Sequence, residues 1–203
     1  MSPRPRTTPD ETILDALVRA VSRVGPARLT LADVAAEAGH SPAGLVQRFG
    51  SKRGLLLALA RRNAAEVSAR FSSARGAAPS ALEALFEGLG SVTRHADTPQ
   101  ALSHHLALAQ LDLDDADVHR CAFDAARAML DGIRATLDAA LATGELMPCD
   151  TGGVARTVQT AHAGALATWA VYRQGTLDEW MRGEIEAVLE PFLPPLDEGD
   201  APH

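Results

Sequence analysis

Aromatic side chains are scarce: five Phe, two Trp and one Tyr make up 4% of the 203 residues. With 46% apolar residues overall, the interior must be aliphatic and rich in alanine, a composition that helix packing tolerates. Cysteine occurs twice, as Cys121 and Cys149, without metal-like spacing, so these read as ordinary reduced thiols. No apolar run approaches the ~18 uninterrupted residues of a membrane span. Residues 1–10 lack the apolar core of a signal sequence, so the expectation is a cytoplasmic protein with no membrane partner. No stretch alternates as a strand would, and no internal repeat is visible. A nucleophile elbow, a phosphate-binding glycine loop and a cysteine–histidine arrangement are all missing, which leaves enzyme status without support and calls for no cofactor.

Positive charge is also short overall, with a net charge of −7. Its distribution is uneven. Residues 1–62 carry ten Lys or Arg against five Asp or Glu, whereas the remainder carries nine against twenty-one. A basic head on an acidic body suits a protein that meets phosphates with one end only.

Within that head, residues 30–52 read as two short helices joined by a tight turn. Leu31, Val34, Ala35 and Ala38 fall at i, i+3, i+4 and i+7, one apolar face. Thr30 suits an N-cap, with Asp33 as the reciprocal side of a capping box. Gly39 occupies the position where a left-handed C′ residue is wanted. Ser41 then caps a second helix that has Pro42 at its first position. On that helix only Leu45 and Phe49 are committed to a core, which leaves Ala43, Gly44, Gln47 and Arg48 facing outward. Gly50 ends it, and Ser51 caps a third helix beginning at Lys52. A helix with so small a buried face presents its outer surface, as the second helix of a helix-turn-helix does in the major groove.

The chain around this pair follows in order. Residues 1–7 are polar and broken by proline, an arm expected to be disordered, whose Arg4 and Arg6 can reach DNA. A first helix is expected from Thr8, with Pro9 at its first position and Glu11 completing a capping box. Ile13, Leu14, Leu17, Val21 and Val24 form its stripe, and Gly25-Pro26 stops it. From Ser51 a long helix runs to about Ser72, followed by the best linker candidate, residues 73–80. Further helices are expected at 81–95, 99–111, 115–143, 151–173 and 177–192, then a polar tail at 194–203. The helix at 151–173 is apolar nearly all round, so more than one of its faces needs covering.

Two clusters invite a metal. Asp112, Asp114, Asp115, Asp117 and His119 fail as a calcium loop, since Ala116, Asp117 and Phe123 stand where an oxygen ligand, glycine and glutamate are required. Asp114 or Asp115 capping the next helix accounts for them better. Among His95, His104, His105, His119 and His162, none sits at i, i+4 from another, so no metal site is expected.

The run of Ile13-Leu14-Asp15-Ala16, Val34-Ala35, Ala38-Gly39, Ser41, Leu45 and Phe49-Gly50-Ser51-Lys52 resembles the DNA-binding domain of TetR-family transcriptional regulators. The resemblance is specific over 8–62 and loose thereafter. One departure is Val46, where the family often has an aromatic residue on the phosphate backbone. The resemblance implies an all-α chain: a three-helix helix-turn-helix DNA-binding domain at 8–68, and a helical domain at 76–195 that binds an effector and dimerises through its last two helices. The function expected is a ligand-responsive DNA-binding regulator, a repressor in the usual case, with double-stranded DNA, a small-molecule effector and a second copy as partners. The alternative is a helical protein that sequesters a small molecule or a partner and has lost specific DNA binding. Thr30, Ser41 and Lys52 are the candidates for phosphate. Pro42, Ala43, Gly44, Gln47 and Arg48 are the candidates for bases, Arg suiting guanine and Gln adenine. In the body, Phe86, His105, Gln110, Phe123, His162 and Trp169 are the polar or aromatic residues inside apolar helices, and so the candidates for lining a ligand pocket.

Overall fold

The computed structural model describes residues 9–90, 98–110 and 115–195. The expected N-terminal arm, the C-terminal tail beyond residue 195, and the readings placed on His95, Leu111, Asp112 and Asp114 lie outside the described residues. All regular structure described is helical: α1 (Asp10–Val24), α2 (Leu31–Ala38), α3 (Pro42–Phe49), α4 (Lys52–Ala77), α5 (Ala81–Gly90), α6 (Pro99–Ala109), α7 (Ala116–Thr143), α8 (Thr151–Tyr172), α9 (Leu177–Leu189) and a closing 3-10 turn (Glu190–Phe192).

These helices form two compact units, one drawn from Met1–Glu66 and Thr93–Ala126, the other from Val67–Val92 and Arg127–His203. In the first, the α1 stripe of Ile13, Leu14, Leu17 and Val21 is buried with Val34 and Ala35 of α2, Leu45 of α3, and Leu55 and Leu59 of α4. The local signals hold where they are strongest. Thr30 and Asp33 make the reciprocal capping box, Gly39 is left-handed (φ 63), and Ser41 caps α3 with Pro42 at its start. The start of α1 differs from expectation. Pro9 has extended ψ (151) and is itself the N-cap, without a side-chain cap bond, so the helix opens at Asp10 and no Glu11 capping box forms.

The first unit also contains α6, which packs on α1. His104 donates from Nδ1 to the carbonyl of Ser22 (3.0 Å), and His105 Nε2 lies 2.9 Å from the Ser22 hydroxyl. That hydroxyl donates to the Val18 carbonyl (3.1 Å), so His105 is the donor in its own pair. Asp115 caps α7 by accepting from the amides of Asp117 and Val118. The same carboxylate takes both Nε and Nη2 of Arg53 at 2.7 Å, and that guanidinium holds it below the usual carboxylate range.

In the second unit α4 continues to Ala77, past the expected stop, because residues 73–77 contain nothing that breaks a helix before Pro79. The linker shrinks accordingly to 78–80. Phe71 is fully buried between two glycines. A Cβ on Gly88 would fall 2.7 Å from its ring, and one on Gly132 would fall 2.6 Å from it. Glu145 accepts from the first amides of α5, Ala81 (2.9 Å) and Leu82 (3.0 Å). Arg182 of α9 grips Glu83 with two bonds (3.0 and 2.9 Å) and lays its guanidinium 3.9 Å over the Phe86 ring. Among the described residues, no helix is long and apolar enough to cross a membrane.

Candidate nucleic-acid interface

α3 buries only Leu45 completely, against the α1–α2–α4 core, with Phe49 half-buried beside it. Pro42, Ala43, Val46 and Gln47 are exposed. Ala43, Val46 and Gln47 stand at i, i+3 and i+4 and share one outward face, so the helix offers a methyl, an isopropyl group and a carboxamide side by side. Such a face can meet a thymine methyl with its apolar members and an adenine edge with the amide.

The remaining candidates are more constrained. Arg48 forms an ion pair with Asp10 at the opening of α1, so its guanidinium already has an anionic partner within the chain. Gly44 lies under the ring of His40; a Cβ there would come 3.1 Å from His40 Cε1, which gives this glycine a packing role. Thr30 donates its hydroxyl to Asp33 Oδ2 (2.6 Å) and accepts from the Asp33 amide (3.2 Å). The Thr30 hydrogen bonds hold the Asp33 carboxyl below its usual range, and a phosphate would have to displace that carboxylate to take the hydroxyl proton. Ser41 is freer: its oxygen accepts from the Gly44 amide (3.1 Å) while its own O–H remains a donor. Lys52, at the first position of α4, reaches the Pro26 carbonyl at 3.4 Å, a long bond that a phosphate can replace. Much of the basic excess is matched within the head, since Arg19 and Arg23 meet Glu37 and Arg62 meets Glu11 and Asp15.

Sequence reasoning took Val46 only as a departure from the family pattern, yet it is 45% exposed in the middle of the presenting face. Two further residues of this surface were not singled out. His40 lies over Gly44, and its place in the turn between the two helices was the signal available for it. Asp10 holds Arg48, and no sequence signal marked that pair.

The six candidates for a ligand pocket are divided between the two units. Phe86, His162 and Trp169 are buried in the second unit. His105 bonds Ser22 in the first unit, Gln110 caps α6 at the surface, and Phe123 is 60% exposed. Among the described residues, no three His, Cys, Asp or Glu side chains converge as metal ligands would.

Residues 13–59 match the family model described as bacterial regulatory proteins, tetR family. No curated protein matches the chain significantly. Similar solved structures include a TetR transcription regulator from Haloarcula marismortui, 18% identical with TM-score 0.72 over 91% of this chain and 98% of that one. Another is a TetR-family regulator from a Rhodococcus species, 24% identical with TM-score 0.65 over 89% and 98%. A third is SmeT in complex with triclosan, 19% identical with TM-score 0.66 over 95% and 94%. The helix pair built on Leu45 therefore lies in a segment, residues 13–59, that matches the tetR-family DNA-binding model, and the chain shares the fold of the TetR-type regulators it resembles.

Proposed function

We propose that the protein is a homodimeric repressor that binds a near-palindromic operator in the cytoplasm and leaves it when a small molecule enters the helical body. The observation that carries this reading is α3: eight residues fixed by one fully buried leucine, with a mixed apolar and amide face turned outward. The DNA-binding domain spans 8–68 and the effector-binding and dimerising domain 76–195. Gln47 is the leading base reader, with Ala43 and Val46 beside it, and Pro42 and Gly44 bringing the backbone close. Ser41, Lys52 and the amides at the start of α2, with Thr30 at its cap, take phosphates. Arg48 reads a base only if DNA draws it from Asp10.

Dimerisation is supported by the exposed side of α8. Gly164, Ala167 and Val171 fall on one stripe, and Val171 and Tyr172 are 76% and 61% exposed, although the opposite side of this helix is buried. Two heads would then meet half-sites about one helical turn (~34 Å) or more apart. Effector binding is supported by the triclosan complex of SmeT, a chain of the same fold. A ligand that favours one spacing of the heads and DNA that favours another must weaken each other's binding equally.

Fluorescence anisotropy on DNA flanking the gene, against scrambled DNA at two salt concentrations, tests the reading. Selective binding that weakens with salt is expected. Equal, weak binding to both DNAs would favour the sequestering alternative. On the operator so found, Gln47→Ala should relax discrimination at one base position at a cost of ~1–3 kcal/mol. Lys52→Ala should weaken all operator variants alike and lower the salt slope by about one. If Gln47→Ala binds every single-base variant as the parent does, Gln47 is not a base reader.

A further inference from the structure

α8 carries one imidazole on its buried side. His162 is 3% exposed, on the same face as Val158, Ala165, Leu166 and Trp169. One ring nitrogen meets the backbone carbonyl of Leu89 in the last turn of α5, and among the described residues no group hydrogen-bonds Nε2. A carbonyl only accepts, and with Nε2 unpartnered the nitrogen left to meet it is Nδ1, which then carries a proton. Burial holds the ring in its neutral form, with its pKa lowered to about 4. A neutral imidazole has a single N–H, and here it is committed to Leu89. Nε2 is therefore left as a lone pair on the buried side of α8, an acceptor without a donor among the described residues.

We propose that His162 Nε2 is the polar anchor of the effector site and accepts a hydrogen bond from an apolar molecule bearing one O–H donor, a phenol or an alcohol. The chemistry of the atom sets the class. A carboxylate would bring its own lone pairs against that of Nε2. An ether or ketone of the same shape would leave the nitrogen unmet. An ammonium could donate, but burying its charge on the buried side of α8 is far more costly than burying a neutral hydroxyl. The proposal rests on the reading of the body as effector-binding and adds to it the class of effector.

Two matched pairs test it by calorimetry on the full chain: phenol with anisole, and 2-naphthol with 2-methoxynaphthalene. In each pair the apolar body is kept and the donor removed. For at least one pair, the hydroxyl compound should bind on the order of tenfold more tightly to the parent protein, as one hydrogen bond to a buried, otherwise unmet group implies. In His162→Leu both members of that pair should bind equally, and the ratio is read within one protein, so a change in overall stability does not imitate it. A ratio near one in the parent, or a preference that survives in His162→Leu, overturns the proposal. If the ethers bind and release operator DNA as well as the hydroxyl compounds do, the anchor fails while the effector reading stands. If neither pair binds, the proposal falls, and the effector reading is then judged separately by whether any small molecule releases the DNA.

Discussion

Gly132→Ala will destabilise the protein by about 1–3 kcal/mol, and the same substitution will stabilise it once Phe71 has been cut back to alanine. A new Cβ on α7 would stand 2.6 Å from Cγ of Phe71, well inside contact distance. The ring has little room to retreat, because Gly88 of α5 also lies against it, where the corresponding distance is 2.7 Å. Phe71→Ala alone should cost about 3–5 kcal/mol through lost burial and the space left behind. In that background the steric objection is gone, and alanine is better than glycine in a helix by up to about 1 kcal/mol. Gly88→Ala should behave in the same way. Urea midpoints of the parent, the two single variants and the double variant give the coupling directly. If Gly132→Ala is neutral in the parent, the ring slides and the two glycines do not grip it.

The contrast between these glycines and those of the head shows what the chain announces about itself. Gly39 and Gly50 were legible because their role is local: each ends a short helix at a positive φ, with the signal a few residues away on either side. The same holds for the Thr30–Asp33 box and the Ser41–Pro42 start, which is why the helix-turn-helix could be placed almost to the residue. Gly88 and Gly132 serve one ring that is distant in sequence from both, and no spacing reports that. The end of α4 was misjudged for a related reason. Residues 73–77 look like a linker by composition, yet Ala, Arg and a single exposed Gly continue a helix whose neighbours hold it. The histidines of α6 were legible as unusual but not as to purpose. Their partner, Ser22, is more than eighty residues away on α1, and chemistry alone allows an imidazole in an apolar helix to serve a ligand, a metal or another helix. The exposed face of α3 was readable as a face. Which of its side chains are free to act was not, since Asp10 takes Arg48 across the fold.

Acidification from neutral pH to about pH 4.5 will remove about 2–3 kcal/mol of stability through His162 alone. The ring's pKa is 6.5 in an unsheltered chain and about 4 in the folded protein, where burial disfavours the imidazolium and the Leu89 carbonyl offsets that only in part. Above pH 6.5 both states are neutral at this ring, and its full contribution is present. Between 6.5 and 4 the unfolded chain takes up a proton that the folded one refuses, so stability falls as pH falls, and the loss is complete once pH drops below the folded value. This window lies above that of the carboxylates. Asp33, Asp115, Glu83 and Glu179 are held below their ordinary values by hydrogen bonds from Thr30, Arg53, Arg182 and Thr176, and their losses come at lower pH. The clean quantity is a difference. Urea midpoints of the parent and His162→Leu at pH 7 and about pH 4.5 share every other titration, which cancels when the two pH dependences are subtracted. The variant should lose less than the parent over this interval, by the 2–3 kcal/mol assigned to the ring. Equal losses would mean that His162 titrates as freely folded as unfolded. Its Nε2 could then be protonated in the native state, and an acceptor anchor for a hydroxyl ligand would no longer follow from its burial.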